Sequence, residues 1–287
     1  MEQEKTPDSA GDPLAELPIP PCPTVMLALI EETRKASVGY RRLSSLITRD
    51  ASLSGAMINA ANSSYFALRT PVTTAQQAMA VLGVTTICEI VTKLALRSTL
   101  GGAGGISMER FWERANYLGK CSSLLTERLS SVDRDAAYNF GLFHEAGIPV
   151  LMQKFPDYKE ALLLANAAVD RPFTAIEQER HGTNHAAVGA RLARVWKLPE
   201  LICNAIHHHH DYGILRDQSV KDEELLDLVA IGVLAEHVVN VFLRRSPDAE
   251  TRAALSTAQE HFQIDKDALH DLTDEVCHSL RELREGR

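Results

Sequence analysis

The chain predicts an all-α fold of two packed helical lobes, and three observations carry that expectation. Apolar residues recur at three- and four-residue spacings along most of its length, no convincing alternating strand interrupts them, and capping residues, prolines and glycines punctuate the segments. With 287 residues, 45% hydrophobic and 24% charged, the chain has the apolar material for a sizeable core and is too apolar for wholesale disorder.

Taken in order, residues 1–16 are polar and aperiodic and read as a mobile tail. LPIPPCPTV follows, and its prolines at 18, 20, 21 and 23 delay regular structure until a helix can start near Pro23 or Thr24. Residues 17–100 then read as an N-terminal bundle of short helices. Thr73 with Gln76 forms a capping-box pattern before a helix that Gly83 ends, and Thr86 with Glu89 repeats it for Ile87 to Leu100. GGAGG at 101–105 is a joint between lobes; a phosphate-cradling reading fails because Ile106, Ser107 and Met108 supply no lysine. Ser107 can cap the helix that opens the second lobe, residues 106–287. Within it, Pro172 opens a helix with Thr174 and Glu177 as a box pair, Asn184 to Trp196 and Pro199 to His210 form adjacent helices, and two long helices close the chain.

Charge and cysteine usage narrow the function classes. The formal net charge is -8 with no basic run, which argues against nucleic-acid or anionic-membrane binding as the main activity, since both need a positive footprint. The five cysteines are scattered singly, odd in number and without a CxxC pair, as suits a reducing compartment. The N-terminus lacks a basic leader and an apolar core, and no charge-free run of about 18 apolar residues occurs, so a cytoplasmic location is expected.

The candidate site begins with Tyr138 to Leu151, YNFGLFHEAGIPVL, which reads as one core helix. His144 shares the apolar face of Ala137, Phe140, Gly141, Ile148 and Leu151, and Glu145 follows it. Glu236 lies on the stripe of Leu225, Val229, Gly232 and Val239 in a strongly apolar helix. A buried unpaired carboxylate costs several kcal/mol, so Glu236 needs a partner, with His144 and its neighbours the obvious ones. NAIHHHHD at 204–211 ends another apolar helix in four histidines that span a full turn and cannot all face one centre. His208 or His209, with His185, would complete a site, although the position of His185 just inside a helix start favours exposure.

Arg114, His144, Glu145, His185, His207 to His210 and Glu236 follow the order of an HD-type phosphohydrolase: a first histidine, a His-Asp pair, further histidines, and a late aspartate around one or two divalent metals. LPIPPCPTVMLALIEE, LITRDASLSGAMINAANSSYFALRTPVTTAQQAMAVLG and HGTNHAAVGARLARVWKLPELICNAIHHHH resemble the HDOD domain, a bacterial signalling module related to those hydrolases. The resemblance runs from about Leu17 to at least Tyr212, with Asn59 to Gly83 its most specific part. It implies an N-terminal bundle packed on an HD-like lobe, usually without demonstrated catalysis, acting as an output module of signalling systems.

The departures bear on mechanism. Arg114, in FWERANYL, stands at the first histidine and has no lone pair for a metal; it is either a surface cation or the internal counterion of Glu145, and the burial argument favours the counterion. Glu145 and Glu236 replace aspartates, Ile148 replaces the lysine of the cyclic-dinucleotide phosphodiesterases, and HHHHDYGIL lacks their Gly-Tyr-Pro signature. Asn59, Asn62 and Ser63 read as caps and helix-to-helix hydrogen bonds. The sequence therefore leads first to a non-catalytic signalling module with a signalling-protein partner, such as a two-component system member; it allows a homodimer. No cofactor is expected. The alternatives are a metal-dependent phosphohydrolase holding Fe, Mn, Ni or Mg through His144, Glu145, His185, His208, His209 and Glu236, and a nucleotide-binding sensor without turnover.

Overall fold

The computed structural model describes residues 17–35, 40–101, 108–169, 171–247 and 249–285. The 1–16 tail, the Ser107 cap and most of the GGAGG joint lie outside them. Among the described residues the fold is all helical, as the periodicity predicts.

The first region comprises α1 (Thr24–Thr33), α2 (Tyr40–Thr48), α3 (Ala51–Ala61) and α4 (Ala75–Leu100). Helix α1 begins directly after Pro23, where the proline run ends. Asp50 caps α3 by accepting from the Leu53 amide at 3.0 Å. The capping box before α4 is Thr74 with Gln77, one residue later than the Thr73 and Gln76 pair the pattern suggested. Gly83, at φ +74°, breaks α4 where the sequence places a stop. Glu89 makes no second box: it forms an ion pair with Lys120 in the following helix. Asn62 pins the loop after α3, donating to the Val72 carbonyl and accepting from its amide, both at 2.8 Å.

The second region runs through α5 (Glu109–Leu129), α6 (Arg134–Phe143), α7 (Gly147–Lys154), α8 (Tyr158–Ala167), α9 (Phe173–His181), α10 (His185–Val195), α11 (Glu200–His208), α12 (Glu223–Phe242), α13 (Ala249–Phe262) and α14 (Lys266–Glu285). Helix α12 is hydrophobic all round and therefore buried; α5, α6, α11, α13 and α14 pack about it. By length and composition α4 and α12 would also pass for membrane spans, and most of the apolar window of α12 is covered inside the fold.

One hydrophobic core continues from Leu17 through both regions to Val229. The proline-rich entry is stapled to it by Trp196, fully buried, whose Nε1 donates to the Pro20 carbonyl at 3.1 Å, and by Arg34, which donates to the Lys197 carbonyl at 2.9 Å. A second core cluster joins α5, α12, α13 and α14.

Candidate functional site

Tyr138 to Leu151 is not one helix. Helix α6 stops at Phe143, His144 is its C-terminal cap, and α7 begins at Gly147. Pro149 accounts for the break: in a continuous helix its ring would collide with the Glu145 carbonyl and leave that carbonyl without a donor. The Glu145 carbonyl instead accepts from the Ile148 amide at 3.0 Å, a tighter turn that aims Glu145 and His144 into the same space.

His185 is the first residue of α10, whose cap Asn184 accepts from the Ala187 amide at 2.9 Å. The position suggested exposure, yet His185 is 0% exposed. The start of α10 lies directly against Gly147, where an added Cβ would sit 2.0 Å from the His185 carbonyl oxygen. Only glycine permits that approach, and it seals the histidine in.

The histidine run divides differently from the expectation. His208 is the last residue of α11, points outward and lies 3.4 Å from Asp211. His209 and His210 follow the helix end, where the 100° step per residue no longer applies, so both face the same centre. His208 therefore leaves the expected site and His210 enters it.

Two carboxylates that sequence reasoning missed as site residues complete the arrangement. Glu177, expected as a capping partner, is fully buried; its Oε2 accepts from His185 Nδ1 at 2.7 Å and its Oε1 from the Tyr158 hydroxyl. Glu250, in the first turn of α13, accepts from His210 Nδ1 at 3.1 Å and from the Phe173 amide at 2.8 Å. His209 Nδ1 donates to the Ile206 carbonyl at 2.6 Å. With every Nδ1 directed at an oxygen acceptor, the three Nε2 atoms are left facing one another, those of His209 and His210 each 3.1 Å from that of His185. Glu145 borders them, with Oε2 3.8 Å from His185 Nε2, buried and without a hydrogen bond.

A second group adjoins the first across Glu145. His144 Nε2 is 3.2 Å from Glu236 Oε1 and 3.9 Å from Glu145 Oε1. Glu236 has the partner that its burial demanded. Arg114, expected on Glu145, forms its ion pair with the other oxygen of Glu236. Both groups bring three or more donor atoms within 4.8 Å of one another, a spacing that suits a cation.

The charges follow the packing. Burial alone would drive the Glu236 pKa up, but Arg114 and His144 pull it down to about 2. Burial likewise opposes ionisation of Glu177 and Glu250, and contacts with His185 and His210 respectively hold both below the usual carboxylate range. His185 is raised because Glu177 outweighs its burial. His209 is pushed well below the ordinary imidazole value, first by burial and then by the imidazoles crowded beside it.

The Glu236 shift gives a pH prediction. Its folded pKa lies below the unfolded value of 4.5, so its contribution is present above pH 4.5 and lost as pH falls through about 2. Glu236→Gln removes a stabilisation on the order of 3 kcal/mol at neutral pH. Denaturation curves from pH 6 to 2.5 should converge for wild type and variant; a constant gap would refute the ionised pair.

A cavity of about 500 Å³ opens over both groups, its wall carrying Phe111, Arg114, Phe173, Tyr212, Asn240 and Arg245. A larger one, about 840 Å³, lies between α1, α3, α4 and α5 beside Trp112, and none of the residues of the two groups lines it.

The family model of the HDOD domain matches residues 19–212. Over 194 residues the chain is 23% identical to an uncharacterized protein of Treponema pallidum; the match covers 67% of this chain and 38% of that protein. The chain thus spans well under half the length of that relative. Among solved structures it is similar to an HDOD domain protein of unknown function from Geobacter sulfurreducens, with a TM-score of 0.72, 20% identity, and 93% and 91% of the two chains covered. A candidate phosphohydrolase from Shewanella amazonensis gives 0.71, 20% identity, and 95% and 94%. A candidate signal transduction protein from Marinobacter aquaeolei gives 0.69, 20% identity, and 93% and 58%. At these identities the likeness is one of fold.

Proposed function

The chain belongs to the HDOD domain family, and from that membership we propose that it is a non-catalytic signal-transduction module that acts by binding another protein, with a degenerate HD-type centre. The observation that carries this reading is the ion pair between Arg114 and Glu236 in the wall of the cavity. A metal at the His144, Glu145 and Glu236 group would need the Glu236 oxygens free and would lie beside a fixed guanidinium charge. The arginine neutralises the carboxylate itself, and it offers no lone pair in exchange. A two-metal hydrolytic centre is poorly served by that exchange. The partner is a signalling protein, such as a two-component system member, or a second copy of this chain.

The test is turnover. Purified protein supplied with Mg, Mn, Fe(II) or Ni should hydrolyse phosphomonoesters, phosphodiesters and cyclic dinucleotides no faster than His144→Ala. Turnover abolished by that substitution would overturn the reading in favour of a metal-dependent phosphohydrolase. The convergence of Glu145, His185, His209 and His210 beneath an open cavity favours a second reading, a nucleotide-binding sensor. A rise in melting temperature with a nucleotide that is not consumed would select it.

A further inference from the structure

We propose that the outer face of α8 is the contact through which two copies of this chain pair about a twofold axis. The proposal rests on the signalling reading above and names the surface and the partner it would use.

Large apolar side chains in solvent are few and mostly isolated. Among the described residues seven are exposed, and three of them, Leu163, Leu164 and Val169, lie within seven residues of one another. Single exposed hydrophobic residues are ordinary, whereas a cluster marks a surface of association. Helical spacing sets the cluster out. Tyr158, Ala161 and Ala165 are buried along one side of α8, and Leu162 and Asn166 line the cavity that holds His144 and Glu145. Leu163 and Ala167, four residues apart, share the remaining face with Leu164 at its edge, all three exposed. Val169 follows the helix end and is 81% exposed. Helix α8 packs chiefly on α9, with a smaller contact to α7, and among the described residues nothing covers that face.

The charges around the face choose its occupant. Arg180 lies 3.3 Å from Glu160 and 3.9 Å from Asp157, and Arg171 lies 2.6 Å from Glu179. Cations and carboxylates are thus interleaved at the rim. A rim of one sign would select a partner of the opposite charge. Two copies of a chain with net charge -8 repel on approach, and a face that carries both signs is where they can meet without setting like charges against each other. A twofold contact uses the same patch on both copies, so the patch must be complementary to itself; an apolar face framed by both signs meets that condition. In an antiparallel pairing, Leu163 and Leu164 of one copy cover Ala167 and Val169 of the other, and the single methyl of Ala167 allows the helices to approach closely. The contact and the candidate site then share one helix, with the second copy on its outer side and Leu162 and Asn166 in the cavity wall.

The test is the association state of the full chain, followed by sedimentation velocity from about 1 to 100 μM. A reversible dimer is expected. Salt should not weaken it, because screening removes the net repulsion and leaves an apolar contact intact. Leu163→Glu and Leu164→Glu should each weaken it at least about tenfold, with helical content unchanged, since both side chains already stand in solvent. Val195→Glu, at an exposed apolar position of α10, should leave it unchanged. A wild type that stays monomeric across the range would overturn the proposal, as would a dimer indifferent to both leucine substitutions or one lost equally in Val195→Glu. A monomer without turnover keeps the signalling reading and assigns the face to a different protein, whereas a dimer with metal-dependent turnover defeats that reading and keeps the contact.

Discussion

Gly147→Ala should be the most damaging single-methyl addition among the glycines between α5 and α14. An added Cβ would lie 2.0 Å from the His185 carbonyl oxygen, 2.8 Å from its carbonyl carbon and 2.9 Å from the Gly189 amide nitrogen. All three atoms are backbone, so no side-chain rotation relieves the overlap; α7 and α10 must separate. Overpacking of a core typically costs about 1–3 kcal/mol, and a clash with backbone belongs at or above the upper end. For a chain of this size that corresponds to a fall in melting temperature of roughly 6–12 °C. The site should suffer with the fold, because the turn that leads into α7 carries Glu145 and the first residue of α10 is His185, on either side of the contact. Gly55→Ala is the internal comparison: nothing lies within 4 Å of the added atom and the residue is exposed inside α3, so about 0.5–1 kcal/mol of stabilisation is expected. Thermal denaturation of the two variants should move in opposite directions. Equal stability of Gly147→Ala and wild type would mean that the two helices are not held as closely as described.

Arg114→Ala is the second large effect. The substitution leaves the Glu236 carboxylate in the protein interior with His144 as its remaining neighbour. Breaking a fully buried pair costs about 3–5 kcal/mol; here the side chains keep 20% and 17% exposure, so a loss of about 2–3 kcal/mol is expected. The double variant Arg114→Ala with Glu236→Gln should recover much of it, because the penalty belongs to an unpaired charge and not to a missing contact. Additive losses in denaturant titrations would show that Arg114 stabilises through its packing instead.

The helical class, the stop at Gly83, the start of α1 after Pro23 and the inward aim of His144 and Glu236 were all legible in the residues, because each follows from local rules. Periodicity, capping and the cost of burying a charge act within a few residues, or force a partner without saying which. The same logic favoured Glu145 over solvent as the partner of Arg114 but could not choose between Glu145 and Glu236, because Arg114 meets Glu236 only when α5 packs on α12.

The donor set was the least legible part. His208 looked as good as His209, and His210 was passed over, since helical spacing was extended past the residue where the helix ends. Glu177 read as a cap and is instead a buried carboxylate under His185; Glu250 carried no signal, being a first-turn acid like many others. A break at Pro149 could have been read from the proline alone, and it is what swings Glu145 toward the histidines. Sequence thus settled which segments are helical and which polar residues point inward, because those depend on neighbours along the chain. Which of those residues share one centre was decided by the closeness of α7 to α10 and by the turn after α11, contacts between segments tens of residues apart that no local pattern encodes.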